Sequence, residues 1–230
     1  LYPQGHGMPV HQQIHAFADA SDLALSYVSY LRTVTEDGTI HTAFIKGNTR
    51  VPEKGMSVKG QISIPRLELN ASRYLAKDIL EIEHELDISH LQPTIFYTDS
   101  LDVLAWVQNE RPKETPKRYD RSRITYIRKI SKPSQWHYIP TAINPADIGT
   151  RPISLKELKA SEWLTGPLFF KSEDPKPPST PKEKPHNTNL KSDVTAQSTY
   201  VAPPSSYFRT QTRHATEDIT SGSMWENLLN

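Results

Sequence analysis

Residues 94–98 read Thr-Ile-Phe-Tyr-Thr, a short and nearly continuous apolar run that stops at Asp99. A run of that length suits a strand buried on both faces, which points to an α/β domain with helices covering its sheet. The preceding sequence supplies further strands. Residues 12–20 (QQIHAFADA) predict one that ends at Asp19. Residues 25–32 (LSYVSYLR) and 40–46 (IHTAFIK) predict two more, with Asp37-Gly38 as a hairpin signal between them. Residues 47–63 read as a polar loop. Pro65 can open a helix, where its missing N–H is not needed. Leu67, Ala71, Leu75, Ile79, Ile82 and Leu86 then recur at helical spacing, predicting an amphipathic helix over 66–86 with Glu68 in its first turn.

Beyond the apolar run, Ser100 can cap a helix reaching about Asn109. Residues 117–131 predict another, with Ile124, Ile127 and Ile130 on one side. Residues 135–140 (QWHYIP) predict a last strand, and Asn144-Pro145 opens a helical turn holding Asp147. Residues 154–164 predict a closing helix with Leu155, Leu158 and Trp163 inward.

Composition changes after Phe170. Residues 171–218 are rich in Lys, Pro, Ser and Thr and read as a disordered linker. Residues 1–10 read as a connecting arm, 11–170 as the folded domain, and 219–230 as the start of a truncated downstream segment in which SMWENLL begins a helix. The chain starts at Leu1 without a signal-peptide pattern and reads as a fragment of a longer protein. The absence of cysteine removes disulfides, thiol catalysis and cysteine-based zinc sites. No apolar run approaches the roughly 18 residues of a membrane span. The net charge of +1 says nothing about partners, so local charge must.

Four acids stand where strands end or helices begin: Asp19, Glu68, Asp99 and Asp147. Taken singly, each has a plain structural use as a turn former, a cap or an answer to a helix dipole. Taken together they differ, because two follow strongly apolar strands. Ile14, Ala16, Phe17 and Ala18 precede Asp19, and Ile95, Phe96 and Tyr97 precede Asp99. Carboxylates beside an apolar core need a countercharge, and metal ions supply one. An all-oxygen donor set suits Mg²⁺ or Mn²⁺. Two such ions about 3.5–4 Å apart can act on a phosphodiester. On this reading Asp19 bridges both ions, Glu68 and Asp99 complete the ion at the leaving oxygen, and Asp147 holds the ion that activates water. Asp22, Asp102 and Asp120 read as surface or capping residues.

The stretches HAFADAS (15–21), SIPRLELNAS (63–72), FYTDSLDVLAWV (96–107), WHYIPTAINPADIGTR (136–151) and EWLTGPLFF (162–170) resemble the ribonuclease H-like region of BEL/Pao retrotransposon polyproteins, a region also called Pao retrotransposon peptidase. The resemblance runs over about residues 11–170. It implies a five-stranded mixed sheet flanked by helices. It also implies an Mg²⁺-dependent nuclease that cuts the RNA strand of RNA–DNA hybrids during reverse transcription. By the same resemblance Asp19, Glu68, Asp99 and Asp147 are the catalytic and metal-binding acids. The reverse transcriptase and integrase segments of the same polyprotein would be partners, no membrane would be involved, and the setting would be a cytoplasmic virus-like particle or the nucleus. The integrase's zinc-binding module would lie downstream, its ligands beyond Asn230. Two departures stand out. Many ribonucleases H carry a histidine in the loop before the last acid, where this chain has Thr141-Ala142-Ile143 and its nearest histidine is His137. The second strand has Ser26 where relatives often have glycine.

A basic segment lies between Arg111 and Lys132. Its Lys117, Arg118, Arg121, Arg123 and Arg128 are candidates for tracking the phosphates of a hybrid, against the plainer reading of a solvated helix face. Tyr119 could stack on a sugar or base, whereas Trp106 and Trp136 read as core. Three rival functions compete. An aspartic peptidase needs Asp-Thr/Ser-Gly, and Ala18-Asp19-Ala20-Ser21 lacks the glycine. An inactive ribonuclease H-fold connector would tolerate loss of the acids, yet all four are present. An integrase core would place its last acid on a later helix.

Overall fold

The computed structural model describes residues 7–52, 57–58, 61–86, 91–109, 118–172 and 175. The linker and downstream expectations for 171–218 and 219–230, apart from residues 171, 172 and 175, fall outside them, as does Lys117.

Three antiparallel strands lead: β1 (Pro9–Ala20), β2 (Leu25–Thr35) and β3 (Ile40–Arg50). Their hairpin turn follows its chemistry. Gly38 takes φ 77° and donates to the Thr35 carbonyl at 2.9 Å, while Asp37 accepts from the Thr35 hydroxyl and the Thr39 amide. The short strands β4 (Ser57–Val58) and β5 (Gln61–Ile62) pair with each other inside the stretch expected to be a plain loop. The loop is shorter than expected at its start too, because β3 pairs along the whole of β2 to Leu25↔Arg50. Helix α1 (Ile64–Leu86) carries the chain over the sheet to β6 (Leu91–Thr98), which lies parallel to β1. Helices α2 (Leu101–Gln108) and α3 (Arg118–Ile130) then lead to β7 (Trp136–Tyr138), parallel to β6. The sheet order is β3-β2-β1-β6-β7, the five-stranded mixed sheet that was expected.

Alternation of side chains splits the core between the two sheet faces. Ile14, Ala16, Ala18, Tyr27, Leu31 and Phe96 pack under α1, α2 and α3 with Leu67, Leu75, Ile79, Ile127 and Trp136. Phe17, Val28, Tyr30 and Tyr97 pack on the other face with Ile139, Ala146, Trp163 and Phe170. Phe17 and Tyr97 stack at 4.6 Å as cross-strand partners.

Several expectations need correction. Residues 9 and 10 belong to β1, since the Met8 carbonyl already accepts from Glu36 at 3.0 Å. Helix α1 starts at Ile64, because the Ser63 carbonyl accepts from both Arg66 and Leu67. That start puts Glu68 in the second turn. The closing helix is two, α4 (Leu155–Ala160) and α5 (Glu162–Thr165), because Ser161 bonds back to end one and its hydroxyl caps the other at Trp163. Leu155 therefore points outward, 67% exposed, while Trp163 is buried. Asp120 is not a surface cap. It is buried and bonded twice by Arg66, at 2.9 and 3.3 Å, which bolts α3 to α1. At the far end, buried Arg32 donates to the carbonyls of Phe170 and Ser172, so the expected domain limit near Phe170 coincides with a buried clamp.

Candidate functional site

Parallel pairing builds the site. Ala18 is the register partner of Thr98, so Asp19 and Asp99 leave neighbouring strands side by side at the same sheet end. They continue the columns headed by Phe17 and Tyr97, which packs an apolar floor beneath two carboxylates. In an open α/β sheet this carboxyl end is where sites form. Glu68 reaches the same end from α1. Asp147 arrives on a 3-10 turn, Pro145–Thr150. All four line one open pocket of about 410 Å³, with Ser21, Asp22, Thr141, Thr150 and Arg151 among its other walls.

The Asp147 turn is held from three sides. The Asn144 side chain donates to the Ala18 carbonyl of β1 at 3.2 Å and accepts from the Ala146 amide, so one residue both caps the turn and ties it to the sheet. The Thr49 and Ser21 hydroxyls donate to the carbonyls of Gly149 and Thr150. Below, the Trp163 ring lies against Gly149 and Gly47. A Cβ on Gly149 would fall 2.3 Å from Ser26 Oγ and 2.8 Å from the indole, and one on Gly47 2.5 Å from the same ring. The close approach explains why both positions lack a side chain. It also shows Ser26 accommodated directly opposite Asp19.

The electrostatics follow from this crowding. Asp19 is 7% exposed, and burial first, then Asp99, Asp147 and Glu68, push its carboxyl up to about 7. Burial also raises Glu68, opposed by a hydrogen bond from Ser100. Asp99 accepts from the Thr141 hydroxyl at 2.6 Å through one oxygen, while its other oxygen, Oδ1, is buried without a hydrogen-bond partner. Asp147 is gripped by Arg151 at 2.5 and 2.6 Å. Among the described residues no group of three or more His, Asp or Glu is gathered tightly enough to hold a metal ion. The four acids share a pocket, but Thr141 and Arg151 draw two of them toward its walls.

The sequence singled out all four acids but assigned nothing to Thr141 or Arg151. Thr141 occupies the loop in which a histidine was sought, and Arg151 closes the NPADIGTR motif, so the motif itself was the available signal. His137 lies in β7, half-buried, and burial lowers its pKa. The basic segment needs correction in part. Arg128 donates to the carbonyls of Trp106, Val107 and Asn109, closing the C-terminal end of α2. Arg123 bonds Asn70 and lies over the Tyr119 ring, as does Arg66. Tyr119 is thus engaged within the protein. Arg118 and Arg121 are exposed on α3.

Residues 8–100 match the family model described as Pao retrotransposon-like RNaseH-like domain, a span that takes in Asp19, Glu68 and Asp99 and stops before Asp147. Among curated proteins nothing matches. Solved structures include the N-terminal RNase H domain of rv2228c from Mycobacterium tuberculosis, with 12% identity over 61% of this chain and 94% of that one and a TM-score of 0.37. RNase H1 from Halobacterium salinarum shows 13% identity over 59% and 90%, with a TM-score of 0.31. LC11-RNase H1 in complex with an RNA/DNA hybrid shows 15% identity over 60% and 91%, with a TM-score of 0.33. Likeness at these levels carries no weight for activity. No helix among the described residues is long and apolar enough to cross a membrane. The chain is therefore similar, over residues 8–100, to the Pao retrotransposon-like RNaseH-like domain, and it folds into the five-stranded mixed sheet which that resemblance implies.

Proposed function

We propose that this domain is a divalent-metal-dependent ribonuclease H that hydrolyses the RNA strand of RNA–DNA hybrids in the reverse transcription of a retrotransposon. The observation that carries the reading is the pocket in which Asp19, Glu68, Asp99 and Asp147 meet, with Asp19 buried and its carboxyl pushed up to about 7 by burial and its acidic neighbours. Carboxylates so placed are short of positive charge. The donors fit Mg²⁺ or Mn²⁺: all are oxygens, and the buried Oδ1 of Asp99 lacks a partner.

Asp19, Glu68, Asp99 and Asp147 are the residues that would hold the ions. Bound there, two divalent ions supply an activated water and stabilise the leaving oxygen of a phosphodiester. The protein's share is positioning. Thr141 orients Asp99, Ser100 orients Glu68, and the Asn144 cap with the Trp163 packing holds the Asp147 turn at the sheet end. Exposed Arg118 and Arg121 on α3, with Lys117 beside them in sequence, would contact hybrid phosphates without reading sequence. Partnership with reverse transcriptase and integrase segments of one polyprotein, in a cytoplasmic virus-like particle, belongs to the same proposal. Asp19 is the penultimate residue of an extended strand that ends at Ala20, a setting unlike the glycine turn of an aspartic peptidase.

The test is cleavage of a labelled RNA–DNA hybrid with an RNA duplex as control. The expected result is Mg²⁺-dependent cutting of the hybrid's RNA strand, abolished in Asp99→Asn. Equal inertness of wild type and variant would leave the domain a connector.

A further inference from the structure

Among the residues lining the acidic pocket Arg151 is the cation, and one of its terminal nitrogens, Nη2, sits between the two carboxylate oxygens of Asp147, at 2.5 Å from Oδ1 and 2.6 Å from Oδ2. A single charged nitrogen placed this way engages both carboxylate oxygens at once. Those are the oxygens a divalent cation at Asp147 would use. Arginine and ion therefore compete for one carboxylate. The pair sits at the pocket mouth, with the Arg151 side chain 62% exposed and that of Asp147 26% exposed. Solvent can receive the arginine when the two part. The backbone at Arg151 is extended, φ −136° and ψ 157°, directly after the turn that carries Asp147. Its side chain can thus pivot while the turn stays fixed by Asn144 and Trp163.

We infer that Arg151 is a placeholder that becomes a substrate clamp. It neutralises Asp147 while the centre holds no ion, yields that carboxylate to an incoming divalent cation, and then donates its freed N–H groups to a non-bridging phosphate oxygen of the nucleic-acid strand at the pocket mouth. The inference rests on the proposed metal-dependent function and adds a residue to it. Its thermodynamic consequence is coupling. Breaking the Arg151–Asp147 pair weakens ion binding to the free protein. Re-use of the arginine by substrate restores that loss, so ion and hybrid bind better together than apart.

The experiment is calorimetric titration of Mg²⁺ into the full chain as wild type, Arg151→Gln and Arg151→Lys. Each is titrated alone and with a hybrid whose RNA strand is 2′-O-methylated and cannot be cut. Without hybrid, Arg151→Gln is expected to bind Mg²⁺ about two- to fivefold tighter than wild type, the size that release of a partly exposed ion pair can supply. Arg151→Lys keeps the charge and can likewise set one nitrogen against both oxygens, so it is expected to stay near wild type. With hybrid present, wild type is expected to gain more Mg²⁺ affinity than either variant. Unchanged or weaker Mg²⁺ binding in Arg151→Gln would overturn the inference. So would a lysine variant that binds Mg²⁺ as tightly as Arg151→Gln, because the ion pair would then not be what holds the cation off, or an equal gain from hybrid in all three. A wild type that binds no Mg²⁺ would instead remove the metal-dependent function beneath it. Because Arg151 lies at the surface, melting curves should show all three proteins folded.

Discussion

Asp19→Asn should make the protein more stable and useless at once. In the ion-free state the Asp19 carboxyl is buried beside three other acids, and its pKa rises from 3.8 to about 7. A shift of about 3 units corresponds to at most about 4 kcal/mol of unfavourable interaction with the charged form. Burial is the largest cause, and a buried amide keeps part of that cost. The expected gain at pH 8 is therefore about 1–3 kcal/mol, or about 3–10 °C in Tm for a domain of this size. The pH dependence follows from the direction of the shift. Below about pH 4 the carboxyl is protonated whether the chain is folded or not, so its charge costs nothing. Between about 4 and 7 the folded state retains a proton that the unfolded state has lost, and wild-type stability falls as pH rises through this window. The variant does not titrate there. Its advantage should be small at pH 4, grow toward pH 7 and level off above it. Thermal denaturation in EDTA at several pH values measures this. Adding Mg²⁺ should then raise the wild-type Tm and leave the variant unmoved, since a ligand stabilises only the state that binds it. A variant less stable than wild type at pH 8, or an advantage that does not shrink toward pH 4, would refute the reasoning.

Other substitutions probe the supports. Gly149→Ala should lose about 1–3 kcal/mol, because its Cβ would press on Ser26 Oγ and Trp163, and Ser26→Ala in the same chain should recover part of the loss in chemical denaturation. Arg128→Ala uncovers the carbonyls it caps and should cost about 1–2 kcal/mol, while the salt dependence of hybrid binding stays as in wild type. Arg118→Glu with Arg121→Glu should weaken hybrid binding and flatten its salt dependence in anisotropy titrations. An unchanged salt slope there would detach α3 from the substrate.

The elements and much of the core followed from local pattern because each element carries its own signal. The run before Asp99 is buried, the helical spacing from Leu67 to Ile79 is the buried stripe of α1, and Ser100 caps α2 as its chemistry dictates. Asp19 and Asp99 stand at strand ends that the pattern marks, and the parallel pairing of those strands brings them side by side. What stayed hidden depends on partners distant in sequence. Asp120 looks like a helix-start acid until Arg66 is found across from it. Arg128 reads as a phosphate ligand until the end of α2 arrives beneath it. Arg32, in a strand of alternating residues, gives no hint that it clamps the chain at Phe170 and Ser172. The break at Ser161 was misread because a capping serine between two helical turns preserves the periodicity that a continuous helix would show. Arg151 lay in view within its motif, and only its bonds to Asp147 give it a role.

A crystal soaked in Mn²⁺ and measured at the manganese edge puts the central claim to its most direct trial. Anomalous density should appear inside the acidic pocket, in contact with Asp19 and Asp99, with Arg151 turned away from Asp147. An empty pocket at saturating Mn²⁺, or ions bound elsewhere while Arg151 keeps its hold, would contradict it.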